Sequence, residues 1–255
     1  MSEMKPLIRI DRTAIHYHGF SSTGTIAAFT SLANSGLSRV VPDAGPETPG
    51  ASFLSEPENY HWLHKVGMPP SVLAFAKQVH GNNIVYVDKP GVYGEADGLY
   101  TDQPNVGLTI RTADCAAVMV AVPEMPLVGI AHAGWRGTKS QIVKKLIELM
   151  QCHSDEPVRK ALVVLSPHIK VCCYEVGREF ERYFPPQFLL HREGRLFFDM
   201  EKALVHQITE MGVPRGNLLI SPYCTACSNL PLYSYRKQKT TKRLFNIITI
   251  KGGDS

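Results

Sequence analysis

No apolar run in this 255-residue chain approaches the roughly 18 residues that a membrane-crossing helix requires. The opening residues, Met1-Ser2-Glu3-Met4-Lys5, carry no apolar core of the kind a secretory leader has. A cytoplasmic location is therefore expected, and no membrane partner. Thiols stay reduced in that compartment, so the six cysteines read as ligands, nucleophiles or small core residues rather than bridges. Charge of one sign is missing too: 27 basic against 23 acidic residues leave a net +4. That balance slightly favours small anions and makes no footprint for nucleic acid. Repeats, low-complexity tracts and a convincing linker are absent, so residues 1–255 read as one domain. What is present is ordinary globular composition, 44% apolar and 20% charged, long enough for a core without disulfides.

Residues 35–58 are rich in Gly, Pro, Ser and Glu and read as a long surface loop, of a length that is usually functional or mobile. β-rich runs bounded by turn residues follow at 72–75, 83–87, 107–112, 116–122 and 127–131, then at 161–165, 218–221 and 245–250. Tyr93-Gly94-Glu95-Ala96-Asp97-Gly98 supplies turn chemistry between two of them. Helical spacing is clearest at Ile142, Val143, Leu146, Ile147 and Met150, with Thr138 or Ser140 as its cap. Residues 175–183 are a second expected helix. Asp199 caps a third, carrying Leu204, Ile208 and Met211 and stopped by Gly212 and Pro214. Strands outnumber helices, and several lie too close together for helical crossovers. This predicts an α/β (α+β) sandwich with mixed sheets rather than a doubly wound parallel sheet.

Three segments read as something other than core packing. His80 lies in Lys77-Gln78-Val79-His80-Gly81, Cys115 closes Arg111-Thr112-Ala113-Asp114-Cys115, and His132 opens His132-Ala133-Gly134-Trp135-Arg136-Gly137. Two imidazoles and one thiolate make a three-ligand set of the kind found at catalytic zinc sites. Each candidate begins or ends a strand, and strand ends on one edge converge naturally on a shared site. Taken singly each has a plainer explanation: a solvated turn histidine, a small buried cysteine, and a glycine-dictated turn with Trp135 in the core. Asp114 is a candidate to orient a neighbouring imidazole. Arg136, with the helix start beyond Gly134, is a candidate for holding phosphate or carboxylate.

The other five cysteines read as core or pocket-wall residues. Cys224-Thr225-Ala226-Cys227 has knuckle spacing without a second pair, Cys172 and Cys173 would point to opposite faces of a strand, and Cys152 stands just past the helix. Tyr235-Arg236-Lys237 and Lys242-Arg243 form a basic cluster, ordinarily a solvated face, from which Arg236 or Arg243 could reach an anionic substrate.

Together with Cys173-Tyr174-Glu175-Val176-Gly177 and Ser234-Tyr235-Arg236, these motifs resemble the YfiH family, also called the multicopper polyphenol oxidase or laccase-domain family. The match runs in family order from about Leu73 to the C-terminus. The resemblance implies a layered α/β/β/α sandwich and a zinc site at His80, Cys115 and His132. It also implies a zinc-dependent purine nucleoside phosphorylase with adenosine deaminase and methylthioadenosine phosphorylase activity. One branch is linked to editing a cell-wall precursor. Departures fall at Ser21-Ser22-Thr23-Gly24-Thr25 and Thr30-Ser31-Leu32-Ala33-Asn34, without the family's arginine and paired glycines, and at Ser166-Pro167-His168-Ile169-Lys170.

Under the phosphorylase reading the substrates are a purine nucleoside and phosphate. Arg136 holds the phosphate, and Glu175, early in the expected helix, is the candidate general acid/base. A metal-free reading makes Cys115 the nucleophile and His132 its base in an amidase or deamidase. A multicopper centre would need many more histidines than ten with one His-x-His pair, His16-Tyr17-His18, so any copper would be adventitious. A degenerate, non-catalytic member that binds a nucleotide or a protein partner through residues 35–58 is the remaining alternative.

Overall fold

The computed structural model describes residues 8–18, 20, 25–33, 63, 72–122, 124–154 and 160–252. The long loop 35–58 and residues 21–24 lie outside them. In chain order the strands begin with β1 (Ile8–Ile10), β2 (Ala14–Tyr17), β3 (Ile26–Ser31), β4 (Leu73–Lys77), β5 (Ile84–Tyr86) and β6 (Gly91–Glu95). They continue with β7 (Gly98–Thr101), β8 (Gly107–Thr112), β9 (Ala116–Val122), β10 (Leu127–Ala133) and β11 (Leu162–Leu165). The last are β12 (Glu175–Val176), β13 (Leu189–Arg192), β14 (Arg195–Phe198), β15 (Leu218–Ile220) and β16 (Leu244–Ile250). Helices are α1 (Trp135–Lys139), α2 (Ile142–His153), α3 (Met200–Glu210) and α4 (Tyr235–Gln238). Among the described residues no helix is long and apolar enough to cross a membrane.

Two large mixed sheets result, ordered β1-β2-β3-β16-β8-β4-β6 and β15-β11-β9-β10-β7-β5, with a small third sheet β12-β14-β13. Strand β9 explains why they stack. Ala117, Met119 and Ala121 pack on Leu108, Ile110 and Ile248 of the first sheet. The alternate residues Val118, Val120 and Val122 pack with Leu146, Ile147, Leu204 and Ile208 of α2 and α3. A strand buried on both faces reads as an unbroken apolar run, and this one does. The outer face of the first sheet buries Phe29, Phe75, Phe245 and Ile247 with Leu63. The expected layered mixed-sheet fold is what the chain forms.

Two local expectations are corrected. Residues 175–183 are not a helix: Glu175–Val176 is a short strand and Arg178–Arg182 a 3-10 turn begun at Gly177. Phe180 there packs with Phe184 and Phe198, so its apolar residues serve an aromatic cluster rather than a helical stripe. The segment after His132 breaks into two helices. Neither Thr138 nor Ser140 caps α2, which starts after Gln141 in a left-handed conformation (φ 55°). The Thr138 hydroxyl donates instead to the Gly134 carbonyl at 2.8 Å. Cys152 is inside α2, not beyond it.

Candidate metal centre and its cavity

The site arises where the chain passes between the sheets. The connections β4 to β5, β6 to β7 and β8 to β9 each leave the first sheet and enter the second. They carry His80, Asp97 and Cys115, while His132 sits one residue from the end of β10. His132 pairs with Ala117 across the ladder, two residues from Cys115, and its own N–H donates to the Asp97 carbonyl at 2.7 Å. Four segments distant in sequence therefore meet at one end of the sandwich.

One ligand atom each from His80, Cys115 and His132 lies within 4.8 Å of the others. The two imidazole ring centroids are 4.7 Å apart. Gly134 is what lets them close in: a Cβ there would stand 2.7 Å from Cys115 Sγ and 3.5 Å from His80 Nδ1. His132 is buried, His80 is exposed and Cys115 lies between, so the group opens on solvent at one side only.

The supporting residue is Asp97, which sequence reasoning took for turn chemistry. It is fully buried, and its carboxylate accepts from the backbone N–H groups of Val79 (3.1 Å), His80 (3.0 Å) and Gly81 (2.7 Å). The same carboxylate lies 2.8 Å from His132 Nδ1, which fixes the ring and leaves Nε2 for the site. Burial would raise the Asp97 pKa, but the hydrogen bonds from His132 and Gly81 outweigh it and hold it below the usual carboxylate value. It also anchors the turn that carries His80 at φ 60°, a conformation a non-glycine residue adopts only when held.

Electrostatics favour a ligand-ready thiolate. Burial opposes ionisation of Cys115, yet the charge of His132 and hydrogen bonds from His132 and His80 pull its pKa well below a free thiol's. Burial likewise opposes the charged form of His132, and the Cys115 and Asp97 charges hold its pKa above the ordinary imidazole value. Both shifts favour the thiolate–imidazolium form of the pair.

These three residues line a cavity of about 590 Å³, within the range of small-molecule sites. Its walls also bear Arg111, Arg136, Arg236 and Arg243, together with Asp114 and Tyr174. The basic cluster is thus partly cavity wall. The Arg136 guanidinium sits 4.3 Å over the Trp135 ring, and Trp135 stacks on Tyr183. Because α1 is little more than one turn, positive charge here comes from the arginines more than from a helix start.

Asp114 does not orient an imidazole. At φ 93°, its side chain accepts from Thr225 Oγ1 (2.6 Å) and from the Arg236 N–H (2.7 Å), tying the Cys115 turn to the opposite wall. Glu175 does not line the cavity either. It faces a neighbouring depression, exposed, with Arg195 Nη1 3.3 Å from its carboxylate. Tyr174 replaces it at the wall, and burial together with the nearby Cys115 charge raises its pKa, so its hydroxyl stays protonated.

The remaining cysteines are not scattered core residues. Cys172, Cys173, Cys224 and Cys227 form a second group, within which one sulfur of each lies within 4.8 Å of the rest. Only Cys224 is buried. The turn at Lys170, whose carbonyl accepts from both Cys173 and Tyr174 N–H, removes the strand alternation that would have separated Cys172 from Cys173.

Comparison with known proteins places the chain in a family and agrees with its fold. The chain belongs to the family described as multi-copper polyphenol oxidoreductase laccase, whose model matches residues 57–251. It is 37% identical over 175 residues to a protein of Aquifex aeolicus named purine nucleoside phosphorylase, covering 68% of this chain and 80% of that one. A relative from an unknown prokaryotic organism, named adenosine deaminase RL5, is 25% identical over 191 residues, 68% of this chain and 72% of that one. The solved structure of YlmD from Geobacillus stearothermophilus superposes with a TM-score of 0.82 at 25% identity, covering 97% of this chain and all of that one.

Proposed function

We propose that this protein is a zinc-dependent purine nucleoside phosphorylase that also deaminates adenosine and cleaves methylthioadenosine, working in the cytoplasm. The observation that carries the reading is the convergence of His80, Cys115 and His132 on the wall of an arginine-lined cavity. The names of the relatives provide the reaction class. The donor set fits zinc: two imidazoles and one thiolate, with a buried carboxylate behind His132. A blue-copper centre shares His₂Cys but adds a weak axial methionine or glutamine; among the described residues no methionine lines this cavity, and Gln78 on its wall commits both ends of its amide to the Arg111 backbone. Zinc held there supplies Lewis acidity and an ionisable water near neutral pH.

The chain's own residues account for the rest. Arg136, Arg236 and Arg243 on the cavity wall offer planar forks to phosphate. In phosphorolysis a phosphate oxygen bonds to the anomeric carbon as the C–N bond breaks, and the leaving purine nitrogen takes the electron pair and a proton. In deamination water adds to the purine carbon and ammonia departs. The Tyr174 hydroxyl, on the cavity wall and kept protonated by burial, is the donor for orienting either substrate. Glu175, outside the wall and paired with Arg195, has no part in this scheme.

The test is purine release from adenosine and inosine with and without phosphate, using zinc-loaded protein and Cys115→Ala. Phosphate-dependent release, lowered about 100-fold or more in the variant, is expected. Equal activity in the variant would sink the proposal. A second reading has a specific basis, since Cys115, His132 and Asp97 are also arranged as nucleophile, base and orienting carboxylate. Amide hydrolysis that survives complete zinc removal and is abolished by alkylating Cys115 would establish it instead.

A further inference from the structure

The group Cys172, Cys173, Cys224 and Cys227 lies outside the cavity and takes no part in the chemistry above. We propose that it is a second metal site, a closed tetrathiolate that holds one structural zinc ion. The distances carry the argument. Four sulfurs bound at about 2.3 Å form a tetrahedron with edges of about 3.8 Å. Cys172 Sγ lies 3.7 Å from Cys173 Sγ and 3.7 Å from Cys227 Sγ, far beyond a disulfide and close to that edge.

The backbone is arranged for thiolates. The Lys170 N–H is 3.4 Å from Cys224 Sγ, and the N–H groups of Ala226 and Cys227 also point at that sulfur. Such N–H contacts support a ligating sulfur from behind, as outer partners do for other metal ligands. The two halves are already joined: His168 pairs with Cys224 in a parallel bridge, and the Thr225 N–H donates to the His168 carbonyl at 3.1 Å. Four thiolates leave no position for substrate, and none of the four cysteines lines the arginine-walled cavity or the depression beside it, so the ion would be a staple rather than a catalyst.

The staple has a target. The residue after Cys173 is Tyr174, on the cavity wall, and the residue after Cys224 is Thr225, whose hydroxyl donates to Asp114 beside Cys115. Zinc here would therefore clamp the far wall of the catalytic cavity from outside, closing a loop that contains α3 and the third sheet.

Zinc content of protein grown with zinc and then desalted tests this, measured for wild type, Cys115→Ala and Cys172→Ser/Cys227→Ser. The last replaces only exposed cysteines. About two ions per chain in wild type and about one in each variant are expected. Cobalt loaded into Cys115→Ala should give the intense sulfur-to-metal absorption of a tetrahedral thiolate site, a readout that does not depend on the serine variant folding. Cys115→Ala without zinc, lacking that absorption, overturns the proposal, as does a Cys172–Cys227 disulfide in its place. A zinc ion that persists in Cys115→Ala while wild type also holds only one would instead overturn the catalytic metal site and leave this one standing.

Discussion

Two cysteine-bearing clusters stand at one end of this molecule, and they differ in nearly every property that decides what a metal can do. His80, Cys115 and His132 mix nitrogen and sulfur, number three, and face a cavity with four arginines on its walls. Cys172, Cys173, Cys224 and Cys227 are all sulfur, number four, and do not line that cavity. The first is held by connections that cross between sheets, with His80 at φ 60° and Asp114 at φ 93°, and by a buried carboxylate. The second is held by surface turns and backbone N–H groups. Strained backbone and buried charge cost stability, so they mark where geometry is tied to chemistry. Relaxed turns suffice where an ion only has to be held.

Asp97→Ala should separate the two clusters most sharply. It strands the N–H groups of Val79, His80 and Gly81 and removes the partner of His132 in a fully buried position. Breaking such a buried pair costs about 3–5 kcal/mol, readable by denaturant unfolding. Asp97→Asn, a milder change, should weaken zinc at the triad about 10–100-fold in a chelator competition. Zinc at the four-cysteine group should be unmoved. Equal loss at both would show that the clusters are not independent.

Gly134→Ala follows. Its methyl would meet Cys115 Sγ at 2.7 Å, so either the sulfur or α1 must shift. Overpacking of this kind costs about 1–3 kcal/mol, and the larger effect falls on the triad's ability to close. The backbone at Gly134 (φ −83°) is ordinary, so space rather than conformation is what requires glycine. Zinc occupancy at the triad that survives the substitution at full affinity would refute the close-approach argument. Arg243→Ala should be smaller again. Its guanidinium is positioned by the carbonyls of Thr240 and Lys242 (3.0 and 2.9 Å), and its loss should raise KM for phosphate about tenfold, some 1.4 kcal/mol. Stability should change little, and an unchanged KM would take Arg243 out of the phosphate site.

How much of this the sequence showed follows the same division. The triad was legible because each member ends or begins a strand flanked by turn residues. The long strands were legible from apolar runs that match Gly107–Thr112 and Ala116–Val122 residue for residue. Asp97 was not, since a carboxylate between Ala96 and Gly98 looks like any turn, and only tertiary structure buries it. The four-cysteine group was hidden because its halves lie about fifty residues apart. Reading Cys172-Cys173 as strand also imposed an alternation that the Lys170 turn cancels. The helix expected over residues 175–183 fails because Gly177 ends the short strand that holds Glu175, and Phe180 turns into an aromatic cluster. Local periodicity finds elements. It cannot find partners that only the turns bring together.

The smallest effect tests the sulfur cluster's footing through pH. Glu201 on α3 lies beside His168 and holds the Lys170 ammonium, which also donates to the Ser221 carbonyl at 2.7 Å. Lys170 is the residue whose N–H reaches Cys224 Sγ. The His168 imidazole, its Nε2 3.5 Å from the carboxylate, and the Lys170 ammonium outweigh the opposing effect of burial and lower the Glu201 pKa from 4.5 to about 2. A depressed carboxylate stabilises the fold fully above its unfolded value and loses that contribution as pH falls toward its folded value. Wild type should therefore exceed Glu201→Gln in stability above pH 4.5, with the gap closing as pH approaches 2. Because a third of the side chain is exposed, screening reduces the gap to about 1 kcal/mol. Unfolding curves at pH 7 and pH 3 give the comparison directly. A gap that is constant across that range would mean the carboxylate's charge is not what holds Lys170 in place. The same Glu201→Gln substitution should leave triad zinc affinity untouched, since the groups described around its carboxylate, His168 and Lys170, are not among the triad's own partners.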